Sequence, residues 1–213
     1  MTPVNHAAAA LVIRKFRPNT PLWPLLLATQ LFDFIWVLLN FSGVEQTDTN
    51  DPVLAINDIH FTYMPLSHSI VSTLIVTVAV WLIFSRLGKP YLGIAIAAAI
   101  ASHLVLDVLV HLPDIAITPF ADLGRIGTGF YGFPVGAFVF ECAFAIGCWW
   151  YYRGTLSLLV VILIVNALAL TLFVPSLHGP EAIFADNPLL FVGCVALAMV
   201  LSVVLVWCRA RSP

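Results

Sequence analysis

Six long apolar runs separated by polar loops of unequal length dominate the chain: residues 22–42, 69–86, 90–111, 131–152, 155–174 and 188–208. A helix needs roughly 20 mostly apolar residues to cross the hydrocarbon of a bilayer, so each run reads as a membrane-spanning helix. The pattern predicts an all-α polytopic membrane protein, a six-helix transmembrane bundle forming one domain over residues 1–213. No 20–50 residue period, Gly/Ser linker or block of charge divides it. The first run follows Arg14, Lys15 and Arg17, as a signal peptide would. Its length, Gln30 and Asp33 within it and the lack of a small-x-small cleavage site after it predict a retained span.

Composition agrees. The chain is 61% hydrophobic and only 9% charged, too little charge to cover a soluble domain. The charges that remain are sorted by side. With the N- and C-termini in the cytoplasm, Arg14, Lys15, Arg17, Arg86, Lys89, Arg153, Arg209 and Arg211 lie inside and Arg125 alone lies outside, as the positive-inside rule requires. Glu45, Asp48, Asp51, Asp58, Asp114, Asp122, Glu181 and Asp186 then fall in outer loops. This distribution argues against a nucleic-acid partner and makes the bilayer the expected one. Cys142, Cys148, Cys194 and Cys208 lack C-x-x-C spacing and read as small apolar residues.

The inner loops "RLGKP" and "RG" are tight, whereas three outer loops are long, and long loops gathered on one face usually carry function. The spans on that side also hold ionisable groups, which cost roughly 2.5–3.5 kcal/mol each at the centre of a spanning helix and normally face the bundle interior. In "ASHLVLDVLVHLPDI", His103, Asp107 and His111 recur every four residues and form one slowly turning stripe. His103 and His111 are about 12 Å apart along a helix axis. One ion is therefore held by Asp107 with one of these histidines, or two ions share the stripe, with imidazole and carboxylate suiting zinc. Asp33 lies about eight residues below the outer end of its span, as His103 does. Glu141 lies about 15 Å down its own, His68 sits at the mouth of the second span and Glu45 just beyond the first.

Other patterns carry less. Ser67–His68 and Ser102–His103 resemble nucleophile–base pairs, but adjacent helical residues point about 100° apart and no G-x-S-x-G accompanies them. "GRIGTG" lacks the lysine of a nucleotide-binding loop, although its glycines could bring Arg125 onto an anionic substrate. His6, His60 and His178 read as ordinary loop or terminal residues, with His60 a minor candidate through its nearness to His68.

Taken in order, "QLFDFIWVLLNFSGVE", "YMPLSHSI", "SHLVLDVLVHLPDI" and "GRIGTGFYGFP" followed by Glu141 resemble the small bacterial multipass proteins known as membrane-bound metal-dependent hydrolases. The resemblance runs from about residue 23 to 150 and omits the last two spans. It places that family's recurring Ser-His and His-x-x-x-Asp elements on His68, His103 and Asp107. Through the family's distant similarity to the zinc-dependent phospholipase C and single-strand nuclease fold, it implies phosphoester hydrolysis. Relatives carry a basic residue after the histidine matching His111, where this chain has Leu112, leaving Arg125 as the only outward replacement.

Together the residues and the resemblance lead to the expectation of a bacterial inner-membrane hydrolase acting on a lipid-borne or periplasmic ester from the outer face. One or two divalent ions, zinc first, would be held by Asp33, His68, His103 and Asp107, with His111 as a second-site or supporting ligand. Glu141 would be the general base, and Glu45 and Arg125 would meet substrate at the entrance. Two other classes fit the same residues. A metal-ion or proton carrier needs a polar path to the inner side, and an accessory subunit of a larger complex needs none.

Overall fold

The computed structural model describes residues 1–177 and 179–210. The chain is mostly helical, in the order α1 (Pro3–Phe16), α2 (Leu22–Ala28), α3 (Leu31–Phe41), β1 (Gln46–Thr49), β2 (Ile59–Tyr63), α4 (Ile70–Arg86), α5 (Pro90–Val108), β3 (Ile115–Ala116), β4 (Arg125–Ile126), α6 (Pro134–Tyr152), α7 (Leu156–Ala167), α8 (Leu170–Phe173) and α9 (Pro188–Arg209). Local chemistry sets the helix starts. Proline opens α5, α6 and α9, where its missing N–H costs nothing. Ser69 and Thr155 cap α4 and α7 by accepting from Ser72 N and Leu158 N at 3.2 and 3.3 Å, which satisfies a free amide at each start.

Among the described residues three helices, α5, α6 and α9, are long and apolar enough to cross a membrane, and α2 with α3 make a fourth candidate bent by 46°. The runs at 69–86 and 155–174 give shorter helices: α4 has 17 residues, and α7 has 12 before the chain breaks at Leu168 and Ala169 into α8. The expectation of six full-length spans is thus met only in part. The outer faces of these helices carry large exposed apolar side chains, among them Leu74, Ile75, Ile83, Val139, Leu163 and Val200.

The largest departure from the sequence-based picture is α1. Its residues Val4 to Leu11 are all buried, and the helix packs against α2, α5, α6, α7 and α9, so it runs through the centre of the bundle. Met1 is buried in the bundle as well. The run Ala7–Ala10 explains the fit, because small side chains let helix backbones approach closely inside an apolar bundle. Lys15 and Arg17 remain exposed at the other end of the helix.

Between α3 and α4 the chain forms the antiparallel pair β1–β2, in which Asp48 faces His60 and Thr49 faces Ile59. Between α5 and α6 it forms the shorter pair β3–β4. β3 also grips the start of α4, with Ala116 N donating to His68 O and Val71 N to Ile117 O at 3.1 Å each. The "GRIGTG" loop closes over the end of α5: Thr128 N, Gly129 N and Tyr131 N donate to Val108 O, His111 O and Val110 O. A Cβ at Gly127 would stand 2.1 Å from Leu112 O, so glycine is required there for close backbone contact. The loop serves to cap a helix. Arg125 Nη2 donates to Thr62 O at 2.9 Å.

Candidate metal centre

Asp33, His68, His103 and Asp107 converge from three parts of the chain. Each offers a ligand atom, and these atoms all lie within 4.8 Å of one another. Among the described residues this group could hold a metal ion. His103 Nε2 is 2.9 Å from Asp107 Oδ2 and 3.6 Å from Asp33 Oδ1. His68 Nε2 is 3.4 Å from Asp33 Oδ1 and 3.6 Å from Asp107 Oδ2.

The backbone positions each of them. The break between α2 and α3 leaves Asp33 in the first turn of α3 and frees the carbonyl of Thr29, which accepts from His103 Nδ1 at 2.9 Å. A carbonyl only accepts, so His103 Nδ1 carries a proton and Nε2 is the ring atom turned toward the cluster. His68 is held likewise. Glu45 Oε1 accepts from the amides of Leu66 and Ser67 at 2.8 Å each, and Glu45 Oε2 from the Ser67 hydroxyl at 2.5 Å. The Ser67 proton being committed to Glu45, its oxygen accepts from His68 Nδ1 at 2.7 Å, which again turns Nε2 inward.

Two imidazole Nε2 atoms 3.4 Å apart and two carboxylates therefore face one another, and Asp107 Oδ2 is buried with no hydrogen-bond partner. Histidine with carboxylate is the ligand chemistry of a divalent transition ion. The residues fit one.

The second oxygen of Asp107 faces α1. Oδ1 lies 2.6 Å from the Met1 backbone nitrogen and 3.1 Å from His6 Nε2. His6 stacks on His103 with ring centroids 4.2 Å apart and is fully buried, so it is no ordinary terminal residue. His111 is not one of the four. It follows the end of α5, its Nε2 is 3.6 Å from Asp107 Oδ1, and its Nδ1 is 3.2 Å from Asp114 Oδ1.

The remaining expected residues lie elsewhere. Glu45 is buried behind Ser67 and does not form an entrance. Arg125, with Asp114, lines a separate polar pocket outside β2. Glu141 is fully buried in α6. Its Oε2 accepts from Thr2 N, Thr2 Oγ1 and Asn5 Nδ2 at 2.9, 2.6 and 2.7 Å, and its Oε1 from Tyr131 OH at 2.9 Å. Through the bonds from Thr2 and Asn5 it seats α1. His60 Nε2 is 3.0 Å from Asn50 Oδ1 and outside the cluster, and His178 lies outside the described residues. Ser102 Oγ donates to Ala99 O on its own helix, so it is no partner for His103.

A cavity of about 380 Å³ adjoins the cluster. Asp33, His68, His111 and Tyr131 are among its polar lining residues, and the rest comes from the start of α1, the 180–184 turn with Glu181, and α7, α8 and α9. Asp33, with 13% of its side chain exposed, is the most open of the four clustered groups. No family model matches the sequence, and no curated protein or solved structure matches it either, so the chemistry of this centre is read from its own geometry.

Proposed function

We propose that this chain is a multipass inner-membrane hydrolase that uses a divalent ion, zinc first, to cleave a phosphoester presented from the outer side. The observation that carries the reading is the buried Asp33–His68–His103–Asp107 group with both Nε2 atoms turned inward. Six passes follow if α4 and the α7–α8 pair also cross, with the cluster toward the side of the long loops and the Lys and Arg residues on the other.

In this reading Asp33, His68, His103 and Asp107 hold the ion, which supplies Lewis acidity toward a phosphoryl oxygen and toward water. His111 lines the same cavity. With Nδ1 turned to Asp114, its Nε2 takes the proton from the attacking water. The water oxygen adds to phosphorus, the P–O bond to the alcohol breaks, and His111 returns the proton to the departing alcohol oxygen. Asp114 keeps the ring oriented. A carrier is the less favoured reading, because beneath the cluster α1 packs Ala7, Ala8 and Leu11 against Leu25, Leu26, Ala99 and Ile100, an apolar plug where a relay needs polar groups.

The test is elemental analysis of detergent-purified protein together with release of phosphate or alcohol from phosphoesters, before and after chelation and zinc replacement. Bound metal and hydrolysis lost together in His103→Ala and Asp107→Ala is the expected result. Metal-loaded protein that cleaves no phosphoester would remove the hydrolase reading.

A further inference from the structure

The cavity beside the cluster is chemically two-sided. At one end are Asp33, His68 and His111; from there it runs past Val4, Trp36 and Phe173 to α9. The residues of α9 that line it, Phe191, Cys194, Val195, Leu197, Ala198 and Leu201, recur at helical spacing and so form one face of the helix. Cys194 and Ala198 are small, and that leaves space which a leucine would fill.

The helix break at Leu168 and Ala169 supplies the opposite wall. α7 packs on both α6 and α9, and beyond the break α8 packs against α6. Leu168, Leu197 and Ile183 line the cavity and are 70%, 61% and 52% exposed. These three residues carry the cavity lining to the apolar exterior of the bundle, at Leu168 after α7, Leu197 on α9 and Ile183 in the 180–184 turn. A water-soluble substrate has no use for a long apolar chamber with an apolar side door, and pockets of this size, within about 300–1,000 Å³, are those that enclose most of a small ligand.

We infer that the substrate is a membrane phospholipid whose hydrocarbon tail enters sideways between α7–α8 and α9 and fills this cavity, with its phosphate at Asp33, His68 and His111. The inference deepens the hydrolase reading and rests on it for the head-group end alone. Occupation of the cavity by the tail is a separate, binding claim.

The test uses the full chain reconstituted in phosphatidylethanolamine and phosphatidylglycerol vesicles doped with a phospholipid that carries a photoactivatable diazirine in its acyl chain. Val4, Trp36 and Phe173 line the cavity and are at most 3% exposed, so lipid on the outer surface does not reach them. After illumination, adducts mapped by peptide mass spectrometry are expected on these buried residues. Ala198→Trp, which fills the cavity, should lower those adducts by about tenfold or more with metal content unchanged as the check on folding. Cys194→Phe, nearer the mouth, is the milder second variant. Adducts confined to exposed residues such as Leu163 and Val200 in wild-type protein would overturn the proposal, as would interior adducts that neither variant lowers. The two readings fail differently. Interior adducts without hydrolysis of any phosphoester keep the lipid site and remove the hydrolase, and hydrolysis of a soluble phosphoester without interior adducts does the reverse.

Discussion

His68 Nε2 and His103 Nε2 face each other at 3.4 Å, each turned inward by a bond on the far side of its ring, to Ser67 Oγ and to Thr29 O. Neither arrangement serves a proton relay through these rings, because both Nδ1 protons are committed outward. Two Nε2 atoms turned to one point beside two carboxylates make a group that could hold a metal ion.

Removing a ligand should therefore remove the ion. His103→Ala and Asp107→Ala are expected to lower metal affinity by more than the roughly 10 to 100-fold typical of an outer-shell loss. Competition with a chelator of known affinity measures this. Unchanged metal content in both variants would sink the site.

The supporting bonds make a milder prediction. Ser67→Ala leaves His68 in place but removes the acceptor that fixes its ring, and Glu45→Gln weakens the hold on the Ser67 proton. Each should lower metal affinity about 10 to 100-fold, and together they should lower it little more than either alone, because the two act in series on one ring. Additive losses in the same competition assay would show that Glu45 and Ser67 do not form one chain.

The four clustered residues were legible in the sequence for a simple reason: an ionisable residue in an apolar run needs a partner, and Asp33 and His103 lie at matched depths below their loops. Local context hid the rest. The Ser67–His68 pair looked excluded because it was placed on a helix. Ser69 caps that helix, which leaves both residues in the turn before it, where neighbouring side chains can meet. Asp33 needed a helix break at Thr29 and Gln30 to reach His103, and no proline or glycine marks it. α1 was missed because its 14 residues are too few to span and end in basic residues. The signal that was present is "NHAAAA", a histidine beside four alanines, a pattern suited to close helix packing.

His6 follows from that correction. It stacks on His103 and approaches Asp107, and both its ring nitrogens lack a hydrogen-bond partner. His6→Leu keeps the volume without the polar atoms, so it should leave thermal stability unchanged or raised, since replacing an unsatisfied buried polar group by an apolar one removes its desolvation cost. Metal affinity should change, because a ring against the Asp107 oxygen is lost. A melting temperature several degrees lower in detergent would show that the ring is structurally required.

Glu141→Gln separates the two roles open to that residue. The carboxylate accepts from Thr2, Asn5 and Tyr131, and the same network reaches α7 through Asn166, whose Oδ1 lies 3.1 Å from Asn5 Nδ2. A glutamine offers one acceptor oxygen and turns an N–H₂ toward groups that are themselves donors. Seating of α1 should weaken by about 1–3 kcal/mol for the unsatisfied buried groups, seen as a lower melting temperature, while turnover per folded, metal-loaded molecule falls less than the roughly 10²-fold that loss of a general base costs. A general base would give the opposite pair of results: unchanged melting, with turnover down by about 10² to 10⁴. Measuring both quantities on one preparation decides between them, and the four donors on the Glu141 carboxylate favour the loss of stability.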